Sequence, residues 1–569
     1  METDGKKREY IEWLVSACLT FLSLAVLWKT SGCFFETNDD GFMAEILSGS
    51  LGGKPEPHIV YVNYLLSYPV SLLYRITIQI PWYGLLLLAC QFLSYTAMLQ
   101  SAFSKGKEWR SRMLAAGLVA ACFLLNLYTM VLLEYTSTAA LMAVSGYVCL
   151  LLNRDRKRGR VLFCAFEFLA FLLRSDAMLM IQILGFGVCA GEFWTESEGE
   201  RKAWLCRTGR LVLGVAVIVL LGFLGTAIGY RGERWKDYDR SKEAIVELFD
   251  YYGTPEYDEV KDILDGYGVT ATEYRAFRQY MLLSPKFGPD CLEELADYRK
   301  STQTEEVSIP GIVRKALEMR GDAHFYGMWK ALLAACAALI LWIFLERRWA
   351  MFLPMVFLVT GSVMTEGYLI YRGRLPQRVI LPLYFGEIVF TVVILLRGYL
   401  SGKGGCGRLR RVVICLSALA VAAACVSSGR RQYDSAQIQR HWQAAYRERL
   451  AEIYGYCGMN PENRYILSVG VINDYRSDVL ETRLAGWHNC AYDSTWLSYS
   501  PVVNDFLRGY LDGQEDRIRL IVKDDGQEEE HPTVAYLAEA LGKTPVLEET
   551  LSLSSEEENE YLVWSFGEL

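Results

Sequence analysis

The stretch LVLGVAVIVLLGFLGTAIG, residues Leu211–Gly229, decides the fold class of this chain. It contains no charged residue, while Arg210 precedes it and Arg231 follows shortly after it. A helix needs about 20 consecutive apolar residues to cross the roughly 30 Å hydrocarbon layer of a bilayer. The length and the charged flanks of this stretch therefore predict a membrane-spanning helix.

Similar apolar runs recur along the 569-residue chain, in which 52% of the residues are apolar and the mean hydropathy is +0.15. The runs predict about eleven spans and a polytopic α-helical membrane protein. The net charge of −8 argues against nucleic acid as a partner, since nucleic-acid-binding domains are typically basic. The predicted spans are 11–28, 83–103, 113–131, 136–152, 161–173, 177–191, 211–229, 329–345, 349–366, 379–397 and 412–427.

Lysine and arginine are unevenly distributed among the connections between these spans, and cytoplasmic connections carry the excess of such residues. This rule places the N-terminus in the cytoplasm and leaves three long stretches on the extracytoplasmic side. We name them the first loop (29–82), the second loop (230–328) and the C-terminal region (428–569). The basic connections are 6–8, 105–112, 154–160, 201–210, 347–348 and 397–411.

The C-terminal region differs in pattern from the preceding chain, because strand and helix signals alternate in it. We predict a helix over 436–454, strands over 465–471, 519–522 and 561–566, and a helix over 533–541. Its length is typical of a domain. We therefore predict two domains, a transmembrane domain over 1–427 and an extracytoplasmic α/β domain over 428–569.

The first loop contains Asn38, Asp39 and Asp40 about ten residues after the first span. Adjacent carboxylates repel each other, so a partly buried pair can include one group that acts as a general base. The pair can also hold a divalent cation, the one cofactor that the sequence suggests. A solvated turn or helix cap is the structural alternative, since Asn and Asp favour both.

Other ionisable residues lie near the extracytoplasmic ends of the spans, and such groups usually face a polar cavity because they are costly in lipid. Arginine binds phosphate well, so carboxylates and arginines together predict a site for a lipid-linked phosphate. In the alternative interpretation the arginines only reach to the lipid headgroups. The candidate substrate-binding residues are Asn38, His58, Glu134, Arg174, Glu366, Arg372, Arg374 and Arg378, with Asp39 and Asp40 as catalytic candidates.

Three short segments, TNDDGF (37–42), IPWY (80–83) and GRLPQRV (373–379), resemble bacterial members of the GT-C superfamily of integral-membrane glycosyltransferases. The resemblance covers residues 1 to about 427. It implies transfer of a sugar from a polyprenyl-phosphate donor to a glycan, lipid or protein acceptor of the cell envelope, with inversion of configuration, at the outer face of the bacterial cytoplasmic membrane. It also implies that Asp39 or Asp40 is the general base, without deciding between them.

A non-enzymatic flippase or a polysaccharide-export component is the alternative function, because it would bind the same lipid in the same cavity. The acid pair separates the two hypotheses, since a flippase has no need of two carboxylates at the outer surface. The aromatic stretches 486–488 and 492–499 are suited to stacking on a sugar ring, although an ordinary aromatic loop explains them equally well. We expect the C-terminal region to position the acceptor and to carry none of the catalytic groups.

Overall fold

The computed structural model describes residues 2–51, 53–105, 108–154, 156–302, 308–321, 323–373, 375–400, 408–472, 477–481, 489–524, 526, 531–553 and 560–567. Ten helical segments in this part of the chain are long and apolar enough to cross a membrane. The chain is a multi-pass α-helical membrane protein with a sheet near its C-terminus. The helices up to the second loop are α1 (Glu2–Ser31), α2 (Asn38–Ser48), α3 (Tyr64–Ile76), α4 (Trp82–Lys105), α5 (Trp109–Phe123), α6 (Leu127–Val131), α7 (Tyr135–Leu152), α8 (Lys157–Leu173), α9 (Ser175–Glu192) and α10 (Glu198–Gly229).

The remaining helices belong to the second loop, the later spans and the C-terminal region. They are α11 (Glu233–Val246), α12 (Tyr257–Gly266), α13 (Ala271–Arg278), α14 (Pro289–Thr302), α15 (Ile309–Gly321), α16 (Ala323–Glu346), α17 (Phe352–Tyr371), α18 (Gln377–Leu400), α19 (Arg408–Met459), α20 (Val469–Ile472), α21 (Pro501–Leu511) and α22 (Pro532–Leu541). A π-helical turn, Glu247–Tyr251, extends α11.

Ten of the eleven predicted spans fall within these ten segments. The eleventh, 161–173, lies in α8, a helix of 17 residues, which is at the lower end of the range for a span. Its first turn is paired with α1 near the N-terminus through Arg158 and Glu9, and its Leu172 carbonyl accepts a hydrogen bond from the Asn63 N–H of the first loop. Helix α8 thus runs from one end of the bundle to the other.

Within the first loop, α3 has exposed apolar side chains, which include Leu65, Leu72 and Ile76. An exposed apolar face is typical of an interfacial helix.

Helix α19 passes through the predicted domain boundary at 427/428 without a break. Its 52 residues correspond to roughly 78 Å of helix, more than twice the thickness of the hydrocarbon layer. A hydrophobic first half and a polar second half therefore form one continuous element. The rigid connection ties the C-terminal region to the last span.

The C-terminal region contains a five-stranded sheet in the order β4-β3-β5-β7-β6. Strands β4, β3 and β5 are parallel, and β7 and β6 are antiparallel to their neighbours. Two of the strands, β4 and β6, were not predicted, because β4 has only three residues and β6 is mostly exposed. The strands are β3 (Arg464–Leu467), β4 (Cys490–Tyr492), β5 (Ile518–Lys523), β6 (Thr544–Ser552) and β7 (Glu560–Gly567).

The first loop, the second loop and the C-terminal region meet at one end of the helical bundle. Leu282 of the second loop donates its backbone N–H to the Asp493 carbonyl at 3.0 Å, and Val479 donates to the Cys33 carbonyl at 3.0 Å. The close approach of Val479 to Gly84 requires a glycine there, since a Cβ atom would lie 2.0 Å from the Val479 carbonyl oxygen. This meeting agrees with the predicted placement of all three stretches on one side of the membrane.

Candidate active site

The acid pair lies in the first turn of α2, where the positive end of the helix dipole favours negative charge. A short parallel pairing of β1 (Phe34–Phe35) with β2 (Leu132–Leu133) attaches the preceding residues to the connection between α6 and α7. Glu134 follows β2 directly and caps α7, accepting a hydrogen bond from the Ser137 N–H at 2.7 Å. Backbone pairing thus brings Glu134 to the acid pair.

Asp39 and Asp40 occupy different environments. Asp40 is fully buried and accepts hydrogen bonds from the Tyr83 hydroxyl at 2.7 Å and from the Thr37 hydroxyl at 3.2 Å. Burial raises the pKa of Asp40 well above its usual range, the nearby Glu134 carboxylate adds to the rise, and the hydrogen bond from Tyr83 opposes it. Asp40 is therefore held toward its neutral form.

Asp39, by contrast, lines a cavity of about 480 Å³, a volume typical of small-molecule sites. Its Oδ1 accepts a hydrogen bond of 2.6 Å from the indole N–H of Trp496, which comes from the C-terminal region. This contact holds the carboxylate in one orientation at the cavity wall. Of the two acids, Asp39 is the one that lines this cavity.

All three outer stretches contribute to the cavity wall, together with Arg378 at the start of α18. Arg378 also approaches Glu134, with its Nε 3.9 Å from Glu134 Oε1. Burial and the nearby Glu36 carboxylate raise the pKa of Glu134 to about 7, and Arg378 opposes that rise. The full lining is Thr37, Asn38, Asp39, Phe42, Phe249, Asp250, Tyr280, Arg378, Val469, Ile472, Ser494, Thr495 and Trp496.

Two tyrosines beside Trp496 have a left-handed backbone conformation that bulky side chains rarely adopt. Tyr61 and Tyr280 both have a φ of 69°, and their ring centroids lie 6.1 and 6.0 Å from that of Trp496. Such conformations cost about 1–3 kcal/mol each and concentrate at functional sites. The contact of both tyrosine rings with Trp496 supports the assignment of this region as a functional site.

The other candidate residues lie at varying distances from the cavity. The guanidinium group of Arg174 lies over the Tyr61 ring, 4.2 Å from the ring centroid. Arg372 is exposed and lies over the Tyr251 ring at 4.5 Å. Neither arginine lines the cavity. Arg374 lies outside the described residues.

Glu366 and His58 are engaged elsewhere in the molecule. Glu366 pairs with Arg320 at 3.0 Å and accepts a hydrogen bond from the Tyr384 hydroxyl at 2.9 Å. His58 stacks on Trp235 with a centroid distance of 3.8 Å, and its ring nitrogens contact Glu56 and the Gly229 carbonyl. The contacts of Glu366 connect three helices, and those of His58 connect the first loop to α10 and α11. Neither residue lines the cavity.

Three residues of the cavity lining, Phe249, Asp250 and Tyr280, were not predicted, because nothing local marks them among the other charged and aromatic residues of the second loop. Trp496 falls in the aromatic stretch 492–499 that was noted, whereas 486–488 lie outside the described residues. Within the described part of the chain, no group of three or more His, Cys, Asp and Glu side chains is arranged to hold a metal ion.

The solved structures that are similar to this chain include two of one protein. The chain is similar to ArnT from Cupriavidus metallidurans in the apo state, with 12% identity over 97% of both chains and a TM-score of 0.39. It is similar to the same protein bound to undecaprenyl phosphate, with 13% identity over 97% of this chain and 98% of that chain and a TM-score of 0.39. No protein-family model and no curated protein matches the sequence. At this identity and TM-score, the likeness transfers no residue role and no substrate to this chain.

Proposed function

We propose that this protein is a membrane glycosyltransferase in which Asp39 is the general base. The reaction moves a sugar from a polyprenyl-phosphate donor to an acceptor at the extracytoplasmic face, as the resemblance to the GT-C superfamily implies. The observation that carries the proposal is that Asp39 and Arg378 line one cavity of about 480 Å³. That cavity thus combines a carboxylate, which can accept a proton, with a cation suited to phosphate.

In the proposed reaction, Asp39 removes the proton from an acceptor hydroxyl as that oxygen attacks the anomeric carbon of the donor sugar. The bond from the anomeric carbon to the phosphate oxygen breaks, and the polyprenyl phosphate leaves with the electron pair. Arg378 stabilises the negative charge on the leaving phosphate. Attack from the face opposite the phosphate inverts the configuration.

Asp40 has a positioning role in this proposal. Its hydrogen bonds to Tyr83 of α4 and Thr37 fix the first turn of α2, on which Asp39 is carried. A group held toward its neutral form is a poor base, which argues for Asp39 over its neighbour. The contrast between the two acids leads directly to a test.

The first experiment identifies, by mass spectrometry, the polyprenyl phosphate sugars that co-purify with the full-length protein, and uses them in a transfer assay with cell-envelope acceptors. Asp39→Asn should lower transfer by about a thousandfold while leaving lipid co-purification intact, because the proton acceptor is lost. Asp40→Asn should lower transfer much less, since an amide resembles a neutral carboxyl group. Asp262→Asn, at an exposed position on α12, is the matched control.

Wild-type transfer by Asp39→Asn would exclude Asp39 as the base. An equal loss in a well-folded Asp40→Asn protein would contradict the division of roles between the two acids. Lipid binding without transfer by the wild-type protein, under conditions that keep it folded, would favour the flippase or export function instead.

A further inference from the structure

The C-terminal region contains two cysteines, and they lie side by side. Cys457 is in the last turn of α19 and is fully buried, whereas Cys490 begins β4 and is half-buried. The side-chain amide of Asn489 donates a hydrogen bond to the Cys457 carbonyl at 2.7 Å, which holds the two segments together. The Cys457 and Cys490 thiols are in hydrogen-bonding contact. A disulfide bond brings two sulfur atoms to about 2 Å, so only a small movement separates this contact from a covalent bond.

The surroundings of this pair differ from those of the other cysteines. Cys122 and Cys425 are also in contact, but both lie within candidate membrane spans, where a water-soluble oxidant has no access. Cys33 of the first loop and Cys291 of the second loop are buried in two separate hydrophobic clusters. Within the part of the chain that the structure describes, the pair in the C-terminal region is the one that combines contact with a place outside the spans. Disulfides form and persist in oxidising compartments, and the predicted extracytoplasmic side is the place for one.

Strand β4 is short and leads directly to the cavity. It has three residues and lies at the edge of the sheet, paired with β3 alone. The chain continues from β4 to Thr495 and Trp496 in the cavity lining, where the Trp496 indole contacts Asp39. Cys457 belongs to the helix that continues from the last span. A covalent bond at this point would connect the cavity wall to the membrane-spanning part of the chain.

We infer that Cys457 and Cys490 form a disulfide bond that anchors β4 to α19. The bond closes the segment 457–490 into a loop, and closing such a loop stabilises a fold mainly by restricting the unfolded chain. The inference rests on the extracytoplasmic placement of the C-terminal region and is independent of the reaction proposed above.

The oxidant is a protein disulfide of the thiol–disulfide oxidoreductase class. The thiolate of Cys490, the more exposed of the two residues, attacks one sulfur of that disulfide, and the other sulfur leaves as a thiolate. The Cys457 sulfur then gives up its proton and attacks the Cys490 sulfur of the mixed disulfide, which releases the oxidant with both of its sulfurs reduced. Two thiols of this protein are thus oxidised and one disulfide is reduced. The hydrogen bond with Cys490 and burial raise the pKa of Cys457, so its thiolate is scarce in the folded region and the bond forms during folding.

Mass spectrometry of the full-length protein tests for the bond. Cells that make the protein are quenched in acid, and free thiols are blocked with N-ethylmaleimide under denaturing conditions before digestion with trypsin. The tryptic peptides 450–464 and 484–508 should appear linked without reductant and should separate after reduction. Cys33 and Cys291 are the controls and should carry the maleimide. Maleimide on both Cys457 and Cys490 would overturn the inference.

The stability of single and double variants gives a second test. Cys457→Ala, Cys490→Ala and the double variant should lower the apparent Tm by nearly the same amount, because each removes the same bond. The reductant tris(2-carboxyethyl)phosphine should lower the Tm of the wild type and leave the Tm of these variants unchanged. Cys291→Ala removes a buried thiol of the second loop and is the matched control, which should respond to the reductant as the wild type does. Additive losses in the double variant, or a wild-type Tm that does not change with reductant, would contradict the bond.

Hydrogen exchange tests whether the bond anchors β4. Reduction of the wild type should increase deuterium uptake in residues 490–492, whereas β5, at the centre of the sheet, should keep its protection. Unchanged uptake in β4 after reduction would show that the strand is held without the bond and would overturn the anchoring role.

Discussion

The two ends of the helical bundle use charged residues in different ways. At the end predicted to be cytoplasmic, carboxylates pair with arginines from other helices, as Glu192 does with Arg154 and Arg397. At the other end, the Glu36, Asp39, Asp40 and Glu134 carboxylates cluster near Arg378. A cavity opens beside this cluster. Paired charges thus connect the spans at one end, whereas the surplus of carboxylates beside a cavity supports the proposal that the other end is the functional one.

Breaking a pair at the predicted cytoplasmic end should affect stability alone. Glu192→Gln removes the carboxylate that pairs with the partly buried Arg397, whereas Arg154 keeps its pair with Glu196, so the free energy of unfolding should fall by about 3 kcal/mol. Denaturation in detergent measures this loss, and transfer per folded molecule should stay at the wild-type level. Glu198→Gln, at an exposed position in the first turn of α10, is the control. A large loss of transfer in folded Glu192→Gln would show that this end of the bundle also takes part in the reaction.

At the functional end, the carboxylate surplus should make stability depend on pH. The pKa of Glu134 rises from 4.5 to about 7 on folding, so the folded protein holds this proton more tightly than the unfolded chain. The resulting stabilisation is fully present below about pH 4.5 and is lost as the pH rises through about 7. Glu134→Gln cannot ionise, so its stability relative to wild type should increase by about 3 kcal/mol between pH 4 and pH 8.

Apparent Tm values of both proteins across this pH range test the Glu134 prediction. Glu192→Gln is a suitable reference, because its carboxylate is paired and lies at the opposite end. A stability difference between Glu134→Gln and wild type that does not change with pH would show that Glu134 keeps its ordinary acidity in the folded protein.

The smallest of these effects concerns Arg378, the one arginine among the described residues that lines the cavity. Arg378→Gln should weaken binding of undecaprenyl phosphate by about a hundredfold, or about 2.7 kcal/mol, since charge-assisted hydrogen bonds to phosphate contribute about 1.5–3 kcal/mol. Arg372→Gln should change binding little, because Arg372 is exposed and lies on the Tyr251 ring. Binding of the radiolabelled lipid to purified protein measures both. A larger loss of lipid binding in Arg372→Gln than in Arg378→Gln would assign the phosphate site to Arg372 instead.

The amino-acid sequence by itself determined the spans and the placement of the long stretches together at one end of the bundle. Apolar length and the distribution of Lys and Arg reflect contact with the bilayer, which acts on each segment separately. Strands β5 and β7 were predicted for a similar reason, since their apolar runs are local. The predicted span in α8 shows the limit of this reasoning, because a helix of 17 residues can cross the bilayer or only pack inside a bundle, and the contacts at its two ends, not its local pattern, distinguish the two.

Only the tertiary structure decided which of the candidate residues meet. Asp39 and Asp40 are neighbours in sequence, yet one lines the cavity and the other is buried under Tyr83. Trp496 contacts Asp39 across 457 positions of the chain, and Glu134 arrives through the pairing of β1 with β2. The physical reason is that apolar patterning reports whether a residue is buried, whereas the partner of a polar group depends on how distant elements pack, and no local pattern encodes that packing.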